Sequence, residues 1–60
     1  MNILLKKQVK MLKLFKEQNV KDLKLCQDKY GIDSAYSKGY ADAVTKINKI
    51  LDEQIKILEE

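Results

Sequence analysis

Apolar residues recur along this chain with the period of a helix, in two blocks joined by a short polar stretch. Projecting residues 34–58 at 100° per residue gathers Tyr36, Tyr40, Ala43, Val44, Ile47, Ile50, Leu51, Ile55, Ile57 and Leu58 on one side. They span an arc of roughly 160°, with charged residues such as Lys38, Asp42, Lys49 and Glu53 opposite. Gln54 is the one strongly polar residue inside the arc. In the first block Met1, Leu5, Leu12, Phe15, Leu23, Cys26 and Tyr30 stack along one line, flanked by Leu4, Val9 and Met11. The phase does not slip from about residue 2 to residue 30, which predicts one continuous helix roughly 43 Å long. Asn19 falls in the middle of that line. It acts either as a register-fixing core asparagine of the coiled-coil type or, if the helix breaks there, as the N-cap of a second helix opening at Val20.

Gly31 follows the last periodic residue of the first block and suits a left-handed helix terminus. Asp33 or Ser34 then caps the second helix, over about 34–59. A turn of only 31–33 makes the helices antiparallel neighbours, so the chain reads as an all-α protein, a single helical-hairpin domain over 1–60. Folded symmetrically, the hairpin levels Tyr30 with Tyr36, Leu23 with Ala43, Phe15 with Ile50, and Asn19 with Lys46 and Ile47.

The apolar arc is wider than one neighbouring helix covers, and an isolated hairpin would leave a long hydrophobic strip in water. The expected remedy is self-association into a dimeric four-helix bundle. The residues expected to carry it are Leu12, Phe15, Asn19, Val44, Ile47, Ile50, Leu51, Ile55 and Leu58.

Composition narrows the alternatives. A chain of 60 residues lies near the lower limit for folding unaided, where disulfides, metals or oligomers usually help. Cys26 is the single cysteine and histidine is absent, so neither an internal disulfide nor a zinc site is expected; no cofactor is implied. The lone cysteine suits a reducing compartment. Met1–Leu5 is followed at once by Lys6 and Lys7, unlike a secretory signal, and no apolar run reaches the roughly 20 residues of a membrane span. A cytoplasmic protein without a membrane partner is expected.

The net charge of +3 rests on lysine alone. Arginine, the usual bidentate reader of guanine and phosphate, is absent. Lys6, Lys10, Lys13 and Lys24 share the polar face of the first helix and form the candidate phosphate-binding surface. Tyr30, Tyr36 and Tyr40 gather at the turn end. Gly39, with Ala35, Ala41 and Ala43, slims the start of the second helix so that another helix can approach. Tyr30, Tyr36, Gly39 and Tyr40 are therefore the candidate partner-binding residues. Catalysis has no support: the acidic pairs lie on the polar face with nothing to perturb them, and Cys26 has no histidine to activate it.

The segment Tyr36-Ser-Lys-Gly-Tyr-Ala-Asp-Ala-Val44, followed by Ile47, Ile50 and Leu51, resembles a pattern in very small helical proteins of bacteriophages of low-GC Gram-positive bacteria. These often carry a Tyr-x-x-Gly-Tyr-x-x-Ala core running into an Ile/Leu-rich helix. The resemblance covers about a third of the chain. It implies a phage or mobile-element accessory protein that binds and blocks a host protein, such as a defence enzyme, in the host cytoplasm. The expected function is a non-enzymatic protein-interaction module whose partners are itself and a host protein. The alternative is a small nucleic-acid-binding regulator that uses the lysine face.

Overall fold

The computed structural model describes residues 3–60, and Met1 and Asn2 fall outside them. Two helices account for nearly all of the described chain: α1 over Ile3–Tyr30 and α2 over Ala35–Glu59. They pack side by side as an antiparallel hairpin, and α1 runs unbroken through Asn19. The break considered at Val20 does not occur.

The turn follows from three residues. Gly31 has φ of 88°, a left-handed conformation that an L side chain occupies only at a cost, and its amide closes the last turn by donating to Gln27 O at 2.8 Å. Ser34, rather than Asp33, caps α2: its Oγ accepts from the Ser37 amide at 3.1 Å and donates to Gly31 O at 2.9 Å. Tyr30 and Tyr36 close the turn end with ring centroids 4.6 Å apart.

The helices meet along a seam with a 3.5-residue rhythm. On α1 it runs through Leu5, Val9, Leu12, Lys16, Asn19, Leu23 and Cys26, and on α2 through Ser37, Ala41, Val44, Asn48, Leu51, Ile55 and Leu58; each is buried or half-buried. Alternating steps of four and three are the heptad pattern of a coiled coil. Asn19 Nδ2 donates to Asn48 Oδ1 at 3.0 Å and Asn48 Nδ2 donates to Lys16 O at 3.4 Å, so Asn48 sits between the levels of Lys16 and Asn19. With Tyr30 against Tyr36 and Cys26 against Ser37, the expected level of the two helices holds to within about a residue, and what differs is the face that α2 turns to the seam. Helix α2 turns Ser37, Ala41 and Asn48 inward and leaves Tyr36 and Ile47 outward.

The result is a single layer. Its Cα extents are 43 × 16 × 8 Å and its radius of gyration is 13.9 Å, against about 10 Å for a globular chain of this length.

Candidate interaction surface

Each helix has two flanks beside the seam, and the hairpin joins them in matching pairs. One pair is polar. Lys16 Nζ bonds Asp52 and Lys13 Nζ lies 3.8 Å from Glu59, so the flank of α1 that carries Lys6, Lys10, Lys13 and Lys24 adjoins the flank of α2 that carries Asp42, Lys49, Asp52, Lys56 and Glu59. All four candidate phosphate-binding lysines are exposed there. A shallow groove runs between Lys13, Lys16 and Lys21 on one side and Asp52 on the other, with Val20 and Ile55 as its apolar lining.

The opposite pair of flanks is the more apolar one. Heptad position puts Leu4, Met11, Phe15 and Leu25 of α1 on the same face of the layer as Tyr36, Tyr40, Ala43, Ile47, Ile50 and Ile57 of α2. Phe15 is 52% exposed, Ile50 58% and Ile57 62%. One face of the thin two-helix ribbon is therefore charged, and the other is apolar along α2 except at Gln54 and mixed along α1, where Gln8, Gln18, Asp22 and Lys29 alternate with the apolar residues. Ile3, Leu14 and Val20 of the helices, with Tyr30 and Ile32 at the turn, are exposed apolar residues off that face.

The size of the exposed area is informative. The accessible surface is 4918 Å² for 7.0 kDa, whereas a globular monomer of that mass exposes about 4,000 Å². The excess is close to the roughly 800 Å² that each partner contributes to a standard protein interface.

Of the residues expected to drive self-association, Leu12, Asn19, Val44, Leu51, Ile55 and Leu58 lie in the hairpin's own seam. Phe15, Ile47 and Ile50 lie outside it on the apolar face. The structure brings Tyr30 and Tyr36 together at the turn, with Lys29 Nζ 5.3 Å from the Tyr30 ring centroid; Tyr36 is the more exposed of the pair and Tyr40 is half-buried. A Cβ built on Gly39 meets nothing within 4 Å, so nothing in the hairpin itself requires that glycine.

Ser37 and Asn48 were not among the predicted site residues, yet they shape the hairpin. Ser37 is fully buried; its Oγ donates to Cys26 O at 3.5 Å and lies 3.9 Å from Cys26 Sγ. Its small side chain lets the helices draw together beside the turn. The alternating three- and four-residue spacing from Ser37 to Leu58 is the signal that would have found both. Among the described residues no helix is long and apolar enough to cross a membrane, and no group of three or more His, Cys, Asp or Glu residues could hold a metal ion. No family model, curated protein or solved structure matches this chain.

Proposed function

We propose that the chain is a non-enzymatic protein-interaction module. Two hairpins close apolar face on apolar face into a four-helix bundle, and the bundle acts by binding and occluding another protein, a host protein if the chain is phage-encoded. The observation that carries this reading is the one-sided hairpin: Phe15, Ile47, Ile50 and Ile57 share an uncovered face of a layer one helix thick. Domains are built from two packed layers, so the second layer has to come from another chain, and the excess surface suits a dimer. Sedimentation at micromolar concentration should give a dimer for the wild type and a monomer for Phe15→Glu or Ile50→Glu. A stable, well-folded wild-type monomer under those conditions would remove the assembly step.

A second reading rests on the polar face, where Lys6, Lys10, Lys13 and Lys24 of α1 are joined by Lys49 and Lys56 of α2. Such a face could follow a phosphate backbone. Binding of that kind weakens steeply as salt rises, and replacing Lys6, Lys10 and Lys13 by Gln would abolish it. The same triple substitution leaves occlusion through the turn end or the bundle unchanged. Affinity capture from nuclease-treated and untreated lysate separates the two by whether a protein or a nucleic acid is recovered.

A further inference from the structure

We infer that the lysine-lined face binds an acidic segment of a protein partner, with carboxylates on the α1 lysines and aliphatic side chains against Val20 and Leu14. This rests on the protein-interaction reading above and names the chemistry of the partner. The face stays outward when two hairpins close through their apolar faces, whichever way the copies are turned. Two grooves on it join into one track. The groove between the helices is lined by Lys13, Lys16 and Lys21 with Val20 and Ile55. A second lies toward the start of α1, between Lys6, Lys10 and Lys13 over Val9 and Leu14. The grooves share Lys13 and Glu17. From Lys21 to Lys6 the track is about 22 Å long at 1.5 Å per residue, the length of a helix of about 15 residues.

The charge of the track gives the sign of its occupant. Five lysines line it against two acids, Glu17 and Asp52. Asp52 already bonds Lys16, and the bordering Glu59 lies 3.8 Å from Lys13 Nζ, so the acids that α2 sets along the track have their cations. Among the described residues, the lysines of the track left without a carboxylate are Lys6, Lys10 and Lys21, against Glu17 alone. Glu17 stands one helical turn from both Lys13 and Lys21. A positive groove of this kind draws in an acidic chain and orients it.

The apolar lining says that the occupant is a protein rather than a phosphate backbone. Val20 is 55% exposed and Leu14 48%, and both stand among the lysines with nothing in the hairpin covering them. An acidic peptide with Leu or Ile among its carboxylates gains by burying them, whereas a phosphate backbone has no aliphatic group to offer. Nucleic acid also finds little else here. The chain has no arginine, and the helix aromatics Phe15, Tyr36 and Tyr40 lie on the opposite face, so splayed bases have nothing to stack on.

Selection of the wild-type chain against a displayed library of random peptides, about 15 residues long to match the track, tests this. Enriched peptides should be acidic with Leu, Ile or Val among the acids, and should bind Val20→Ser about tenfold more weakly. The charge-reversed chain carrying Lys6→Glu, Lys10→Glu and Lys21→Glu should enrich basic peptides instead. A short DNA duplex at physiological salt should bind more weakly than the selected peptides, with no response to Val20→Ser. No enrichment, enriched peptides without acidic charge, or affinities that Val20→Ser leaves untouched would each overturn the inference, with the interaction module and its other surfaces still standing. A duplex that binds more tightly than any peptide overturns both, in favour of the phosphate reading. Each substitution lies at an exposed position and nearly conserves helix propensity. Circular dichroism checks the variants, and Leu14→Ser replaces Val20→Ser should helicity fall.

Discussion

Gly31 and Gly39 make a matched test of what glycine does here. Gly31 occupies a left-handed conformation with φ of 88°, whereas Gly39 sits inside α2 with open space where a Cβ would go. Gly31→Ala should therefore destabilise the fold by about 1–2 kcal/mol, the strain of a left-handed residue with a side chain. Gly39→Ala should stabilise it by up to about 1 kcal/mol through helix propensity. Urea denaturation of the two variants reads both signs, and a loss of stability in Gly39→Ala would show that something packs against that position in the assembly. The asparagine pair makes a second test. Asn19→Ala leaves Asn48 Oδ1 without the donor it faces at 3.0 Å, and losing one partner of a part-buried bond costs about 1–3 kcal/mol. Replacing both residues by Leu removes the polar pair together and should be neutral or stabilising. It also removes the feature that levels the helices, so cross-linking across the seam should then report more than one register.

At the scale of the helices, the lesson is which period the seam follows. An arc drawn at 3.6 residues per turn gives the two helices, the turn at Gly31 and the antiparallel pairing, because each depends on local periodicity and a glycine terminus. It centres the buried stripe of α2 on Tyr36, Tyr40 and Ile47, and there it fails. Two helices that wrap on each other bury a 3.5-residue repeat, and the repeat available on α2 passes through Ser37 and Asn48, which no hydrophobicity count selects. Their burial is legible only once the partner helix is in place: Ser37 is tolerated because Cys26 O accepts its hydroxyl, and Asn48 because Asn19 and the Lys16 carbonyl meet it. The same phase shift determines which expected assembly residues remain free, sending Leu12, Val44 and Leu51 into the hairpin and Phe15, Ile47 and Ile50 out of it. Ser37→Leu should accordingly open the turn end, since overpacking a close helix contact costs about 1–3 kcal/mol. Ile47→Ser should leave the seam contacts untouched and weaken association, so that sedimentation shows more monomer at a given concentration and circular dichroism shows helicity falling only as far as the copies separate. The Lys16–Asp52 and Lys13–Glu59 pairs are partly to largely exposed and should contribute under about 1 kcal/mol each.

For the molecule as a whole, thinness is the property from which its behaviour follows. A layer 8 Å deep in Cα extent buries one seam and little else, and a single seam of this kind supplies only a marginal core for 60 residues. If the second layer is a second copy, folding and association become one equilibrium, and the thermal midpoint depends on protein concentration. Two chains of 60 residues unfold with an enthalpy of about 80 kcal/mol at the usual 0.7 kcal/mol per residue, so each tenfold rise in concentration should raise the midpoint by about 6 °C. A hairpin stable on its own gives no shift. Ile50→Glu should lower the midpoint and, by uncoupling the copies, flatten its concentration dependence; the lysine-to-glutamine variants at Lys6, Lys10 and Lys13 should keep the slope, since their face looks away from the contact. A concentration-independent midpoint in the wild type would mean that the apolar face is covered only when a different protein binds, which would make the free hairpin the active form and its partner the missing layer.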